Sequence, residues 1–298
     1  MNKTHQFAQN LDPFSRIIYG VWRLGDDADT SVKHVRAKID ACLMQGITTF
    51  DHADIYGDYR CEQIFGEAVR EDPSLRDKMQ TITKCDIVLP SAARLKHYNT
   101  SPDYIRKSVE NSLARIGVDV IDMLLLHRPD PFMDHIATAG ALDGLVREGK
   151  VKSVGVSNFK LHDWTLLQSV LETKLVTNQI EISVLATEAF RDGDVAYLQE
   201  RGVTPMAWSP LAGGELFGGE TERAARVMSV LKRLADEQGV AVDAVAYAFL
   251  LAHPAGICPV AGTNNVDRIK TLSDAYKVEM DRETWFEIYE ASLGTEVP

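Results

Sequence analysis

The 298-residue chain contains four cysteines, and Cys42, Cys61, Cys85 and Cys258 stand too far apart to form a CxxC pair. That spacing argues against a zinc knuckle or a disulfide frame and leaves reduced thiols packed as small apolar side chains. No apolar run approaches the ~18 residues of a membrane span. The opening MNKTHQFAQNLDPF lacks the apolar core of a signal peptide, so a cytoplasmic protein away from the membrane is expected. Positive charge is scarce: 32 Lys and Arg face 43 Asp and Glu, a net -11 that disfavours nucleic acid as a partner. GxGxxG, GxxxxGK and HExxH are all missing, so no Rossmann, P-loop or metalloprotease-type site is indicated. No linker, low-complexity tract or block of like charge divides the chain.

What remains is a regular alternation of short apolar runs and amphipathic segments. Strand candidates centre on Ile18, Thr49, Ile82, Leu125, Val154, Ile180, Met206 and Val260, eight in all. Ser101 and Pro102 read as N-cap and first-turn proline of a helix whose apolar stripe runs through Ile105, Val109, Leu113 and Ile116 to a stop at Gly117. Helical spacing also fits Val32 to Gln45, Asp134 to Glu148, Asp163 to Leu171, Glu222 to Gln238, Asp243 to Ala252, Val266 to Tyr276 and Arg282 to Ser292. With an ordinary 45% apolar and 25% charged composition, this pattern predicts an α/β protein, a (β/α)8 TIM barrel, as one domain over 1–298.

Four polar residues stand at or just past the ends of those strands: Asp51 and Tyr56 in TTFDHADIYG, Lys84 in QTITKCDI and His127 in IDMLLLHRP. A parallel barrel brings such strand ends to one rim, where this fold carries its chemistry. A phenol with a pKa of about 10 is a poor acid near neutrality, and a lysine cation beside it favours the phenolate and lowers that value. Asp51 then holds the ammonium, and His127 orients a substrate oxygen or relays its proton. Taken alone, the tyrosine reads as a packing residue and the histidine as structural; four together on consecutive strand ends favour a carbonyl-protonating site. The DHAD run is a poor metal site, because neighbours on a strand point to opposite faces and Asp51 and His52 would not share an ion.

These residues lie within GVWRLG, TTFDHADIYG, TITKC, DMLLLHRPD, GKVKSVGVSNF, TNQIEIS, AWSPLAGG and VAGTNNVDRI, which occur in this order between Gly20 and about Ile269. The chain resembles the aldo-keto reductase superfamily, nearest to its bacterial YdhF-like oxidoreductase branch. The resemblance implies NAD(P)H-dependent reduction of an aldehyde or ketone, with Tyr56 as general acid and with Asp51, Lys84 and His127 positioning and tuning it. It implies a nicotinamide dinucleotide across the barrel mouth, gripped at the carboxamide by Ser157, Asn158 and Gln179 and stacked on Trp208, with Gly20 beside it. The loop from Ser209 through Leu211 and Gly213 to Gly214 offers backbone N–H groups to the pyrophosphate; it also reads simply as a mobile loop. Thr263 to Asn265 open a helix whose N-terminus attracts a phosphate, with Gly262, Thr263 and Asn264 as cofactor contacts, and Arg268 matches the family's phosphate-binding arginine; alone, the run is an ordinary helix start with a solvated arginine. Many members carry a lysine just before that Thr where this chain has Gly262, so NADPH is expected over NADH, but less strictly.

Trp22, Arg23 and Arg128 are the candidates for the substrate wall, and the two arginines suit an acidic carbonyl compound or ordinary surface salt bridges equally well. Only Leu293 to Pro298 follow the last helix, too short a tail to fold over the pocket, which predicts a broad one. A small carbonyl substrate is the only partner expected. The rival reading is a cofactor-binding redox sensor or partner subunit with little turnover.

Overall fold

The computed structural model describes residues 3–9 and 11–298. Eight parallel strands close into a barrel: β1 (Ile18–Gly20), β2 (Thr49–Asp51), β3 (Gln80–Cys85), β4 (Met123–Leu126), β5 (Val154–Ser157), β6 (Leu175–Glu181), β7 (Met206–Trp208) and β8 (Cys258–Ala261). Each pairs with its sequence neighbours, and β8 returns to β1 through Val260↔Ile18. Each of the eight strand centres read from the sequence falls inside one of these strands.

Helices cover the outside: α1 (Val32–Leu43), α2 (Cys61–Glu71), α3 (Pro102–Ile116), α4 (His135–Arg147), α5 (Leu161–Gln168), α6 (Asp194–Glu200), α7 (Glu222–Gln238), α8 (Val242–Leu251), α9 (Val266–Ile269) and α10 (Arg282–Leu293). Their ends follow local chemistry. Asp134 accepts the N–H groups of Ile136 and Ala137 to open α4, Thr221 accepts that of Ala224 for α7, and Gly117 closes α3 at a φ of 80°.

One helical expectation fails. In place of a single helix from Val266 to Tyr276, α9 stops at Ile269 and a separate 3-10 turn covers Leu272–Lys277. At the break, the Thr271 hydroxyl donates to the Arg268 carbonyl, and the Ser273 N–H is drawn away to Gln45 Oε1 at 2.9 Å. Tertiary bonding outweighs helical spacing there.

Side chains alternate along the strands, so Ile82, Met123 and Leu125 fill the barrel while Cys85, Leu124 and Leu126 pack under the helices. A hairpin of Thr4–His5 against Phe14–Ser15 precedes β1, and Phe7, Leu11 and Phe14 join the inner cluster, plugging the N-terminal end. The polar rim is thereby left to the opposite end.

Helix α2 lies so close to α3 that a Cβ on Gly66 would sit 1.9 Å from the Arg115 carbonyl oxygen. Gly66→Ala is therefore expected to destabilise the fold by about 3 kcal/mol or more, because only a backbone shift relieves the clash. Urea unfolding measures this, and an unchanged midpoint would refute the packing argument.

Candidate active site

The C-terminal ends of the strands surround a cavity of about 1320 Å³. Alternation places the key groups: residue 51 on β2, 84 on β3 and 127 just past β4 keep the inward phase of their strands. Lys84, with no exposure at all, donates to Asp51 Oδ2 at 2.6 Å, to the His52 carbonyl at 2.8 Å and to the Tyr56 hydroxyl at 3.1 Å. Gln179 donates to the other Asp51 oxygen at 2.9 Å. The rings of Tyr56 and His127 meet edge to face, 5.9 Å between centres.

Tyr56 is held by a sharp turn. Its N–H donates to the Ala53 carbonyl at 3.1 Å, and Gly57, Asp58 and Tyr59 then follow with positive φ. Three left-handed residues in succession are strained backbone, the kind that clusters at functional sites. Tyr59 accepts the Leu89 N–H at 2.9 Å and ties this turn to the loop after β3.

Burial raises the Tyr56 pKa above its usual value, and the pull of Lys84 in the opposite direction is not enough to reverse it. This corrects the expectation of a lowered phenol: in this dry setting desolvation of the phenolate dominates, so the hydroxyl keeps its proton at neutrality. Burial also disfavours the Lys84 ammonium, but Asp51 and Tyr56 beside it win and hold its pKa above the ordinary value. Burial, helped by Lys84, Arg128 and Lys96, pushes His127 well below the usual range, so its imidazole is neutral. His52 points the other way, against Phe65 at 4.7 Å between rings, and is likewise neutral, with a pKa near 3 from burial and Lys84. Asp51 and His52 thus serve opposite faces. Among the described residues no group of three His, Cys, Asp or Glu side chains is placed to hold a metal.

A second chain of bonds lines the floor. Asn158, at a φ of 60°, donates to Ser157 Oγ at 2.8 Å and accepts the Trp208 indole N–H at 2.9 Å, while Ser157 donates to the Gln179 carbonyl. Gln179 faces inward because of an irregularity that the sequence did not betray: pairing with β5 shifts between Leu175 and Asn178. Val176 and Gln179 are both interior, an odd separation that only a bulge permits.

An aldo/keto reductase family model matches residues 16–292. The chain belongs to that family. It is 58% identical, over 95% of its length and 96% of the relative, to a 6-dehydroglucose reductase of Agrobacterium fabrum. It is 41% identical to the oxidoreductase YdhF of Escherichia coli, over 96% of both chains. A Klebsiella pneumoniae aldo/keto reductase solved with NADP and acetate superposes with a TM-score of 0.80 at 25% identity, covering 100% of this chain and 97% of that one. The protein is thus an NAD(P)H-dependent oxidoreductase of the aldo/keto reductase family.

All the site residues read from the sequence line this cavity except Lys84, which stands behind Asp51 and Tyr56. Gly20 has no room for a side chain, since a Cβ there would meet Val260 at 2.9 Å. Ser209, Leu211 and Gly213 border the mouth, where Ser209, Ala212, Gly213 and Gly214 all take positive φ. Gly262, Thr263, Asn264 and Arg268 form the far end, with the Arg268 guanidinium 6.0 Å from the Phe217 ring. The helix N-terminus there is spent, since α9 has four residues and the Asn265 side chain already accepts the Asp267 and Arg268 N–H groups. That helix end is shorter and more fully capped than the sequence suggested, and Arg268 stands beside it on the cavity wall. Asn264 bridges loops, donating to the Arg23 carbonyl and accepting from buried Lys38.

The two wall arginines differ. Arg23 reaches across the mouth to the Gly213 carbonyl at 2.9 Å, whereas Arg128 lies 6.0 Å from the Trp208 ring. Neither has a carboxylate ion-pair partner among the described residues, and both line the cavity. The wall also holds a feature that sequence reading missed: a hairpin of Ile87–Val88 against His97–Tyr98, whose Leu89, Lys96 and Tyr98 line the cavity. Two-residue strands carry too little periodicity to be read in advance. Among the described residues none beyond Leu272 lines the cavity, and the hairpin supplies part of its wall.

Behind the tyrosine turn, Asp54 accepts the Ser108 hydroxyl at 2.7 Å with one oxygen and leaves the other unpartnered. Burial, reinforced by Glu62, pushes its pKa from 3.8 up to about 7. Between those values the folded state holds a proton that the unfolded chain releases, so stability is lost as pH rises from 4 to 7, by up to roughly 4 kcal/mol. Asp54→Asn removes that loss. It should change stability little at pH 4.5 and raise it at pH 8, and urea melts showing the same effect at both would contradict the assignment.

Proposed function

We propose that this enzyme reduces the aldehyde of a small polyhydroxylated carbonyl compound with NADPH, Tyr56 giving the proton. The observation that carries the reading is the bonding of Tyr56 to a buried lysine that is itself locked to Asp51. A phenol kept protonated by burial is poised to donate to a developing alkoxide, and the lysine beside it stabilises the phenolate left behind. The neutral His127 imidazole offers an N–H to the same oxygen without competing for the proton. Asp51 keeps Lys84 in place.

The cavity suits the dinucleotide: side-chain amides at one end, a loop of left-handed backbone along its length and an arginine at the other. Asn158 and Gln179 would hold a carboxamide, Trp208 would cover the ring, and Arg268 would meet the adenosine phosphate. When bound, NADPH supplies the hydride. A polyhydroxylated substrate is favoured by relatives named 6-dehydroglucose reductase at 58% and 39% identity and by a polar rim that includes Asp58, Lys96 and Tyr98. The reaction would run in the cytoplasm.

Following NADPH absorbance with 6-dehydroglucose beside neutral and acidic aldehydes and ketones tests the reaction. In that assay Tyr56→Phe should retain cofactor binding and lose about 10²–10⁴-fold in kcat, since only the hydroxyl is removed. Wild-type turnover by this variant would eliminate Tyr56 as the acid, and absence of turnover by the wild type on every carbonyl would favour a cofactor sensor.

Cofactor choice rests on Arg268. Loss of a charged hydrogen bond costs about 1.5–3 kcal/mol, so Arg268→Ala should weaken NADPH about ten- to a hundredfold and leave NADH nearly unchanged. Fluorescence titration decides, and equal weakening of both cofactors would assign Arg268 to general electrostatics.

A further inference from the structure

Asp86 is the residue in this sector whose conformation costs most and whose function is unassigned. It directly follows β3, has no exposure, and adopts a φ of 98°, a region that suits glycine. It does not line the cavity. A buried carboxyl and a left-handed backbone are both unfavourable, and their coincidence at one residue calls for a compensating bond.

Two bonds are present. Both carboxyl oxygens accept the Arg128 N–H, each at 3.2 Å, and the Asp86 carbonyl accepts the Asn99 N–H at 2.7 Å. The first holds the turn that carries His127 and Arg128, just after the His127 N–H has bonded to the Cys85 carbonyl. The second holds the return of the rim hairpin that carries Lys96 and Tyr98. Both segments contribute residues to the cavity wall.

We propose that Asp86 is a positioning residue for carbonyl reduction: it fixes the His127–Arg128 turn against the rim hairpin and so sets where the substrate oxygen meets His127. The inference rests on the proposed role of His127. Burial, with Asp54 and Asp130 nearby, raises the Asp86 pKa well above the carboxylate range, and the Arg128 and His127 N–H groups oppose that rise. The bond to Arg128 needs only an acceptor oxygen, which either protonation state supplies.

Asp86→Gly relieves the backbone while removing the acceptor, and Asp86→Asn keeps one acceptor oxygen. Steady-state kinetics, NADPH fluorescence titration, thermal melts and hydrogen–deuterium exchange over residues 124–131 are compared with the wild type. The glycine variant should melt no lower and bind NADPH within about twofold, yet lose about ten- to a hundredfold in kcat and exchange faster over 124–131. The asparagine variant should recover most of that kcat. Wild-type kcat and KM in the glycine variant overturn the proposal, as does a loss in which melting point, NADPH affinity and rate fall together. If the wild type reduces no carbonyl compound, the proposed reaction fails on its own, and unchanged exchange in the glycine variant then overturns the Asp86 anchor independently.

Discussion

The site depends on one dehydrated charge. Lys84 has no exposure, and an ammonium in that position is tolerable only with its hydrogen-bonding capacity met. The three acceptors that meet it come from β2 and the turn after it, and Gln179 on β6 steadies the carboxylate from across the barrel. Removing one partner of such a buried pair typically costs ~3–5 kcal/mol, so the bonds that prepare Tyr56 also hold the upper barrel together. Fold and chemistry share the same few atoms here.

The sector behind that charge is costly by design. Asp54, Glu62 and Asp86 all have raised pKa values, first through burial, and His52 and His127 are held neutral by the same cause. A barrel built for stability alone would fill this space with leucine. Instead, hydroxyls from Thr83 and Ser108 and a distant Arg115 partly satisfy the carboxyls. Local expense of this kind is expected where backbone turns must be held at set positions beside a reacting centre.

Much of this was legible in the sequence because strand phase is arithmetic. Knowing that Ile82, Met123 and Leu125 face inward is enough to turn Lys84 and His127 inward as well, and helix ends such as Ser101–Pro102 and Gly117 carry their own signals. Legibility ended where tertiary forces decide. Helices α2 and α6 went unread, the rim hairpin is too short to show a period, and the α9 break depends on a bond to Gln45 more than two hundred residues away in sequence. The Tyr56 pKa turned on how dry the site is, which no pairing of residue types reveals.

The shifted pairing in β6 bears on how this chain tolerates changes in length. Losing one residue between Leu175 and Asn178 would restore a regular ladder and leave Gln179 opposite Ser157, still facing inward, whereas gaining one between Asn178 and Gln179 would rotate the amide out under the helices. The surface stretch between the hairpin strands, residues 89–96, has no such phase to keep. Across descendants of this gene, insertions and deletions should therefore accumulate in the hairpin tip and be purged from the Asn178–Gln179 part of β6, although neither segment contributes a reacting atom.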